Sequence, residues 1–185
     1  MSKVEIPENE VELMQTIGIL PMHMRDKIPG KILRLSEKGH RLVFFFGDLD
    51  NTTHALSHLL RTQVMEYPVP CMASLTKLYE FWGRSKSTGA EREKALELFW
   101  GVENCSHLGL YFMSREFGVS YLRFSDIFKG WFADLLTQRW LSGKPTSIAM
   151  SSIFLKAGRL RHFIPEDLMN HRCAVDVSKL YGSKA

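Results

Sequence analysis

Two runs of hydrophobic residues in the first third of the chain flank a short polar loop. The runs are residues 31–35 (KILRL) and 41–46 (RLVFFF), and the loop between them is SEKGH. Two β-prone runs separated by a short loop that contains glycine predict a β-hairpin. Because Phe44, Phe45 and Phe46 are consecutive, aromatic side chains point to both faces of the second strand. We therefore expect that strand to be covered on both sides or to lie at an interface.

Most of the remaining hydrophobic residues recur at the spacing of an amphipathic helix. In residues 73–82, for example, Leu75, Leu78 and Trp82 share one helical face. The same spacing, with capping residues and prolines at the ends, predicts helices in residues 9–16, 52–65, 73–82, 89–102, 121–131 with a continuation to 141, and 146–156. The pattern as a whole predicts a mainly α fold with a small N-terminal β-hairpin.

The stretch from residue 110 to 131, LYFMSREFGVSYLRFSDIFKGW, has the order of residue types that a helix-turn-helix requires. Gly118 tolerates the left-handed backbone needed between two helices that cross at a steep angle. Ser120 follows as an N-cap for a recognition helix over residues 121–131. The apolar positions between the two helices are occupied by Met113, Phe117, Val119, Phe124 and Ile127. The pattern predicts a helical domain that contains a helix-turn-helix, although an ordinary helical hairpin has the same pattern.

The outer face of the predicted recognition helix supplies candidate contacts to the major groove of DNA. Two further cations follow the helix predicted over residues 146–156, where they suit either a helix C-terminus or a phosphate backbone. The candidate DNA-binding residues are Ser120, Tyr121, Leu122, Arg123, Ser125, Asp126, Lys129, Arg159 and Arg161.

The run EFGVSYLRFSDIFK resembles the first helix-turn-helix of AraC/XylS-type transcription activators, whose turn reads G-V-S and is followed by an apolar residue and then F-K. The matching residues here are Gly118, Val119, Ser120, Phe124, Phe128 and Lys129. The resemblance extends over residues 103–158 and is greatest to the subgroup that controls type III secretion genes. It implies a bacterial activator that binds promoters. Residues 165–182 depart from the second helix-turn-helix of that family, because Cys173 stands where its glycine is expected.

Composition and charge limit the class of protein. The chain has 185 residues, of which 45% are hydrophobic, and a formal net charge of +4. Residues 1–100 carry 13 Lys and Arg and 13 Asp and Glu, whereas residues 101–185 carry 11 and 7, so the positive excess lies in the half with the predicted helix-turn-helix. No run reaches the roughly 18 apolar residues of a membrane span, and the acidic, polar start is unlike a secretory signal. We expect a cytoplasmic protein without membrane contact.

A competing candidate site follows the predicted second strand. The segment DLDNTT places Asp48, Asp50 and Thr52 in the order that resembles motif I of the haloacid-dehalogenase phosphatases, in which the first aspartate is the nucleophile and the second the acid/base beside Mg²⁺. The later motifs of that family have no counterpart in this sequence. We favour the interpretation that Asp50 or Asn51 is the N-cap of the helix over residues 52–65.

Histidine and cysteine spacing does not indicate a cofactor. His54 and His58 lie four residues apart on one helical face, but two imidazoles alone do not form a metal site. Cys71, Cys105 and Cys173 are odd in number and widely spaced, which fits reduced thiols that pack in the core. We predict no metal, no cofactor and no enzymatic activity.

These observations predict a sequence-specific DNA-binding transcription regulator. Residues 1–82 would serve partner binding or dimerisation, and residues 83–185 would form the DNA-binding region. Its partners would be double-stranded DNA and either a protein co-activator or a second copy of the chain. Two alternatives stay open: a protein-interaction adaptor of a secretion or conjugation system, and a phosphatase that uses Asp48 and Asp50. A ribbon–helix–helix dimer built on residues 41–46 would place the reading surface in the first half.

Overall fold

The computed structural model describes residues 30–63, 70–111, 124–152 and 164–181, in which short strands alternate with helices. In chain order the elements are α1 (Gly30–Glu37), β1 (Leu42–Gly47), α2 (Leu49–Arg61), β2 (Cys71–Ser74), α3 (Leu75–Arg84), α4 (Ala90–Asn104), β3 (Leu108–Tyr111), α5 (Asp126–Leu141), β4 (Thr146–Ser151), α6 (Glu166–Met169), β5 (Cys173–Asp176) and α7 (Ser178–Tyr181). None of the helices in these ranges is long and apolar enough to cross a bilayer.

All five strands form one sheet in the order β2-β3-β4-β1-β5, and every neighbouring pair is parallel. Phe44 of β1 is paired with Ile148 of β4 on one side and with Ala174 of β5 on the other. Phe44 and Phe45 point to opposite faces, and both are fully buried. A strand that is apolar on both faces is typical of the centre of a parallel sheet. The LVFFF run is therefore an inner strand and not one arm of a hairpin.

Helices cover both faces of the sheet. On one face, Phe44 belongs to a core that includes Phe132 of α5 together with residues of α3 and α4. On the other face, Phe45 packs in a second core with Ile32 of α1 and Leu56 of α2. The result is a three-layer α/β arrangement, in which the sheet separates two hydrophobic cores.

The prediction of a mainly α fold with an N-terminal hairpin is wrong. Residues 31–35 belong to helix α1, and residues 108–111 and 146–151, whose spacing favours helices, form strands β3 and β4. A run of four to six apolar residues that is buried on both faces shows no alternation, so periodicity cannot distinguish it from part of a buried helix. The one sheet also combines strands from both sides of residue 83.

Candidate functional site

The carboxyl end of β1 is the place where this sheet topology predicts a ligand site. The connection after β1 leads to β2, which is the outer strand on one side of the sheet. The connection after β4 passes β1 and leads to β5, which is the outer strand on the other side. The connections that leave the neighbouring strands β1 and β4 therefore run in opposite directions. In open parallel sheets, ligands bind outside the carboxyl ends of the strands at such a switch point. The turn from β1 into α2 lies at this point.

The turn from β1 into α2 is closed by the residue that follows β5. Gly47 has a φ of 150°, and a Cβ atom added there would lie only 2.5 Å from Cγ2 of Val177. The Val177 side chain is fully buried, and its backbone N–H donates to the Phe46 carbonyl at 3.1 Å. Glycine is required at position 47 because any side chain would displace Val177. Val177 thus packs directly against the start of this turn.

Asp48 is the N-cap of α2. Its backbone is extended, its carboxylate accepts a hydrogen bond from the Asn51 N–H at 3.4 Å, and its carbonyl accepts from the Thr52 N–H at 2.9 Å. Asp50 adds a second carboxylate in the first helical turn. The sequence correctly indicates a cap in this segment, but the capping residue is Asp48 and not Asp50 or Asn51. Two carboxylates therefore face the positive end of the helix dipole.

Asp48→Ala is expected to lower the free energy of unfolding by about 0.5–2 kcal/mol, because alanine cannot accept the hydrogen bond from Asn51. Asp48→Asn is the matched control, since an asparagine oxygen caps a helix as well as a carboxylate does, and we expect a change below about 0.5 kcal/mol. Urea unfolding followed by circular dichroism measures both. Equal losses in the two variants would show that the charge of Asp48, and not its hydrogen bond, stabilises the helix.

A second self-capped turn follows β5. Oδ1 of Asp176 accepts hydrogen bonds from the Ser178 N–H at 3.1 Å and from the Ser178 hydroxyl at 2.7 Å. These hydrogen bonds lower the pKa of Asp176, so its carboxylate stays charged. Asp176 is paired in register with Phe46 at the end of β1. Asp176 therefore lies, like Asp48 and Asp50, at the carboxyl ends of the strands. We call these three aspartates the acidic edge.

The acidic edge is poorly suited to phosphate or metal ions. Phosphate sites need free backbone N–H groups and usually a lysine, whereas here the carboxylates of Asp48 and Asp176 already accept from the nearby N–H groups. The sequence contains no G-x-x-x-x-G-K-[ST] motif. Within the described ranges, no group of three or more His, Cys, Asp or Glu side chains is arranged to hold a metal ion.

Three of the predicted DNA contacts lie together at the start of α5. Ser125 caps α5, with its hydroxyl accepting from the Phe128 N–H at 3.3 Å, and Asp126 pairs with Lys129 at 2.9 Å one turn on. α5 begins at Asp126 and packs against the sheet. The other six predicted contacts lie outside the described residues, together with the turn glycine: Ser120, Tyr121, Leu122, Arg123, Arg159, Arg161 and Gly118.

Arg139 is a buried cation near the amino ends of β3 and β4. The sequence pattern did not predict a role for it. It is 2% exposed. Its guanidinium donates, at distances between 2.9 and 3.2 Å, to the carbonyls of Val102, Glu103, Cys105 and Pro145 and to the hydroxyl of Thr146. Arg139 thereby joins the end of α4, the start of β4 and its own helix. The spacing of residues along α5 cannot predict that Arg139 links these elements, because most of its acceptors are backbone carbonyls at the end of α4 and before β3.

A pair of thiols lies beside this arginine. Burial lowers the pKa of Arg139, and the neighbouring thiols of Cys105 and Cys71 oppose that effect. Burial by itself raises the pKa of Cys105, but a hydrogen bond from Cys71 and the charge of Arg139 outweigh it and bring the pKa to about 7. Both cysteines are buried thiols, as the sequence predicted for packing residues.

His107, just before β3, is held between two side chains. Its Nδ1 lies 2.5 Å from Oε1 of Gln63, and its Nε2 lies 2.8 Å from Oγ of Ser147. Burial, and to a lesser degree the charge of Arg139, lowers the pKa of His107 to about 3. The neutral ring therefore donates from Nδ1 to Gln63 and accepts at Nε2 from the Ser147 hydroxyl. Because Ser147 is 0% exposed and His107 only 2%, this serine–histidine pair is closed to substrate and is structural.

These features define a three-layer α/β protein with an all-parallel sheet, whose switch-point turn is closed and acidic. No protein-family model matches the sequence, and no curated protein matches it. A crystal structure of a DNA replication initiation factor is similar in fold, with a TM-score of 0.56 and 12% sequence identity. The match covers 79% of this chain and 44% of that chain, so this chain spans less than half the length of the solved structure.

The resemblance to AraC/XylS-type activators is overturned, and with it the prediction of a helix-turn-helix transcription regulator linked to type III secretion. The parallel sheet and its similarity to the replication factor do not fit a helical domain of that type. Residues 108–111, at the start of the expected first helix, form strand β3. A glycine, a capping serine and spaced apolar residues are local signals that also accompany a strand followed by a capped helix. Asp48, the nucleophile in the phosphatase alternative, caps α2.

Proposed function

We propose that this chain is a non-catalytic α/β module that binds DNA without using a bound nucleotide. The fold similarity to a DNA replication initiation factor supports a role on DNA. The closed, acidic switch point supports the absence of nucleotide chemistry. The proposal thus rests on two features: a fold similar to that of a DNA replication initiation factor, and a turn from β1 into α2 that the chain itself fills.

The observation that carries the proposal is the closure of the β1–α2 turn by Val177. Its Cγ2 atom lies 2.5 Å from where a Cβ atom of residue 47 would be, so the space beside the turn is filled by the chain itself. Asp48 takes up the N–H of Asn51 that would contact a phosphate, and it adds negative charge. A nucleotide would have to displace a buried valine and approach carboxylates, and both steps oppose binding.

Two aromatic–cation pairs near the end of α3 form the described surface that best fits DNA. The guanidinium carbon of Arg84 lies 5.3 Å from the ring centroid of Phe81, and the ammonium of Lys86 lies 3.5 Å from that of Trp82. Both cations are exposed, and both rings are half-buried. Lysine and arginine bind phosphates, and aromatic rings beside them stack on bases of single strands. We place the DNA contact at this end of α3, away from the acidic edge.

Fluorescence anisotropy with labelled single- and double-stranded 30-mers tests the DNA contact. We expect saturable binding at 50 mM salt that weakens steeply by 200 mM salt, because phosphate contacts release counterions. The Arg84→Ala/Lys86→Ala variant is expected to bind about tenfold more weakly at 50 mM salt. Arg34→Ala/Lys38→Ala, at the end of α1 and in the turn after it, removes the same charge and should bind nearly as the wild type does. Absence of binding at 50 mM salt, or equal losses in the two variants, would contradict the proposed contact.

Nucleotide binding is tested separately with a fluorescent ATP analogue and Mg²⁺. We expect no saturable signal up to millimolar nucleotide and no release of phosphate from ATP, because Val177 and Asp48 occupy the site. Saturable binding or measurable hydrolysis would overturn the non-catalytic part of the proposal. The proposed DNA contact is tested independently by the anisotropy measurement, so nucleotide binding would not decide it.

A further inference from the structure

Helix α4 has a hydrophobic surface on its solvent side. Its inner side buries Ala95, Leu98 and Val102, and the last two belong to the core on one face of the sheet. On its outer side Leu96 is 47% exposed and Trp100 is 66% exposed. The two residues are four apart, so they are neighbours on one face of the helix. A large aromatic residue exposed to this extent on a well-packed helix is typical of an interaction surface.

Glutamates surround this exposed pair. At 3.6 residues per turn, Glu93, Glu97 and Glu103 all lie within about 60° of Trp100 around the helix axis. All three are exposed. Of the two cations of the helix, Arg92 lies one turn before Leu96 on the same side, whereas Lys94 lies about 120° from Trp100 around the axis. Near this pair the three glutamates outnumber Arg92, so the outer face of α4 is apolar at its centre and carries more negative than positive side chains around it. We call Glu93, Leu96, Glu97, Trp100 and Glu103 the α4 face.

The end of the α4 face is held firmly in place. The Asn104 side chain donates to the Trp100 carbonyl at 2.9 Å, and the ammonium of Lys144 donates to the Glu103 carbonyl and to Oδ1 of Asn104, both at 3.2 Å. Behind it, the ring of Phe99 packs edge-on against Trp131 of α5, with centroids 4.8 Å apart. A preorganised surface loses little conformational entropy on binding.

We infer that the α4 face docks an amphipathic helix of a partner protein that is apolar at i and i+4 and carries lysine or arginine beside those positions. The apolar pair of the partner would cover Leu96 and Trp100, in the manner of helix–helix packing. Its cations would meet the three glutamates, which also set its orientation. DNA is repelled by those glutamates, and a second α4 face would bring like charges together. A basic helix is the partner whose charge and shape complement this face.

The probe for this surface is a fluorescein-labelled 18-residue helical peptide with leucine at i and i+4 and lysine at the flanking positions. We expect saturable binding to the full chain by anisotropy. The Leu96→Ser/Trp100→Ser variant is expected to bind at least about tenfold more weakly, because it removes the central aromatic anchor. Glu93→Lys/Glu97→Lys should also weaken binding at least about tenfold at low salt. All four positions are on the outer side of α4, so the variants should unfold at the wild-type urea concentration.

Two control variants distinguish peptide binding at the α4 face from non-specific hydrophobic or electrostatic binding. Leu141→Ser removes an apolar residue that is 76% exposed on α5, and Glu91→Lys changes charge on the opposite side of α4. Both should bind the peptide as the wild type does, and a peptide with glutamate in place of lysine should not bind. The inference is overturned if the lysine peptide shows no saturable binding, if the controls lose as much affinity as the α4 variants, or if the glutamate peptide binds equally well. It is also overturned if sedimentation shows a dimer that Leu96→Ser/Trp100→Ser dissociates, because the occupant would then be a second copy.

Discussion

Replacing Arg139 with leucine is expected to lower the free energy of unfolding by about 3–5 kcal/mol, the largest effect of any single substitution considered for this chain. The guanidinium supplies hydrogen bonds to the carbonyls of Val102 and Cys105, which are buried, and to that of Pro145, which is half-buried. Leucine fills much of the volume but leaves these carbonyls without donors, and each unsatisfied buried group costs about 1–3 kcal/mol. Urea unfolding at pH 7, followed by circular dichroism, measures the loss.

Two matched substitutions sharpen this test. Arg139→Lys keeps the charge but cannot donate to both α4 and β4, so we expect a smaller loss of about 1–3 kcal/mol. Arg92→Leu makes the same change at an exposed position of α4 and should stay within about 0.5 kcal/mol of the wild type. If Arg139→Leu were to lose less than about 1 kcal/mol, water would have to replace the guanidinium at these carbonyls, contrary to the proposed structural role.

The second large effect is a loss of stability in acid that arises from His107. In the folded chain its pKa is lowered to about 3, compared with the ordinary value of 6.5. Between these two values the unfolded chain binds a proton that the folded chain excludes, so stability falls as pH falls. The contribution is fully present above pH 6.5 and is lost at up to about 1.4 kcal/mol per pH unit as the pH decreases toward 3. Unfolding free energies measured from pH 7 to pH 4 report this slope.

The variant His107→Gln isolates the contribution of this residue, because glutamine does not titrate. Its stability should depend less steeply on pH than that of the wild type, with the two curves converging in acid. The ring proton of His107, followed by NMR, should keep the chemical shift of neutral imidazole down to pH 5. Titration of that proton near pH 6.5 would show that water reaches the ring, and the contacts with Gln63 and Ser147 would then not explain its burial.

Local signals in the sequence predicted much of the helical structure. The helices predicted over residues 52–65, 73–82 and 89–102 are confirmed, with shifted ends, as α2, α3 and α4, because their apolar spacing matches the 3.6-residue period. The strand in residues 41–46 is also confirmed as β1. The short strands β2, β3 and β4 were missed because each is buried on both faces and so shows no alternation of apolar and polar residues. Only the neighbouring strands decide that such a run is extended, and those neighbours are distant in sequence.

The candidate site was predictable only in part for the same reason. A cap near the end of β1 follows from the residues of DLDNTT themselves, and the structure confirms it with Asp48 in the capping role. The closure of that turn by Val177 depends on β5 lying beside β1, which no local pattern reveals. Arg139 and His107 likewise act through backbone and side-chain partners far away in the sequence. The helix-turn-helix prediction failed because its signals were all local.

The pairing of β1 also has a consequence for the order in which the chain folds during synthesis. Leu42 is paired with Thr146 and Val43 with Cys173, so neither neighbour of this inner strand is available until residue 146 has left the ribosome. Such long-range pairing slows folding, and unpaired apolar strands aggregate. A nascent chain that stops before residue 146 exposes Phe44 and Phe45 on an open strand. We therefore expect truncated chains to require chaperones, while the full chain stays in solution once β4 closes the sheet.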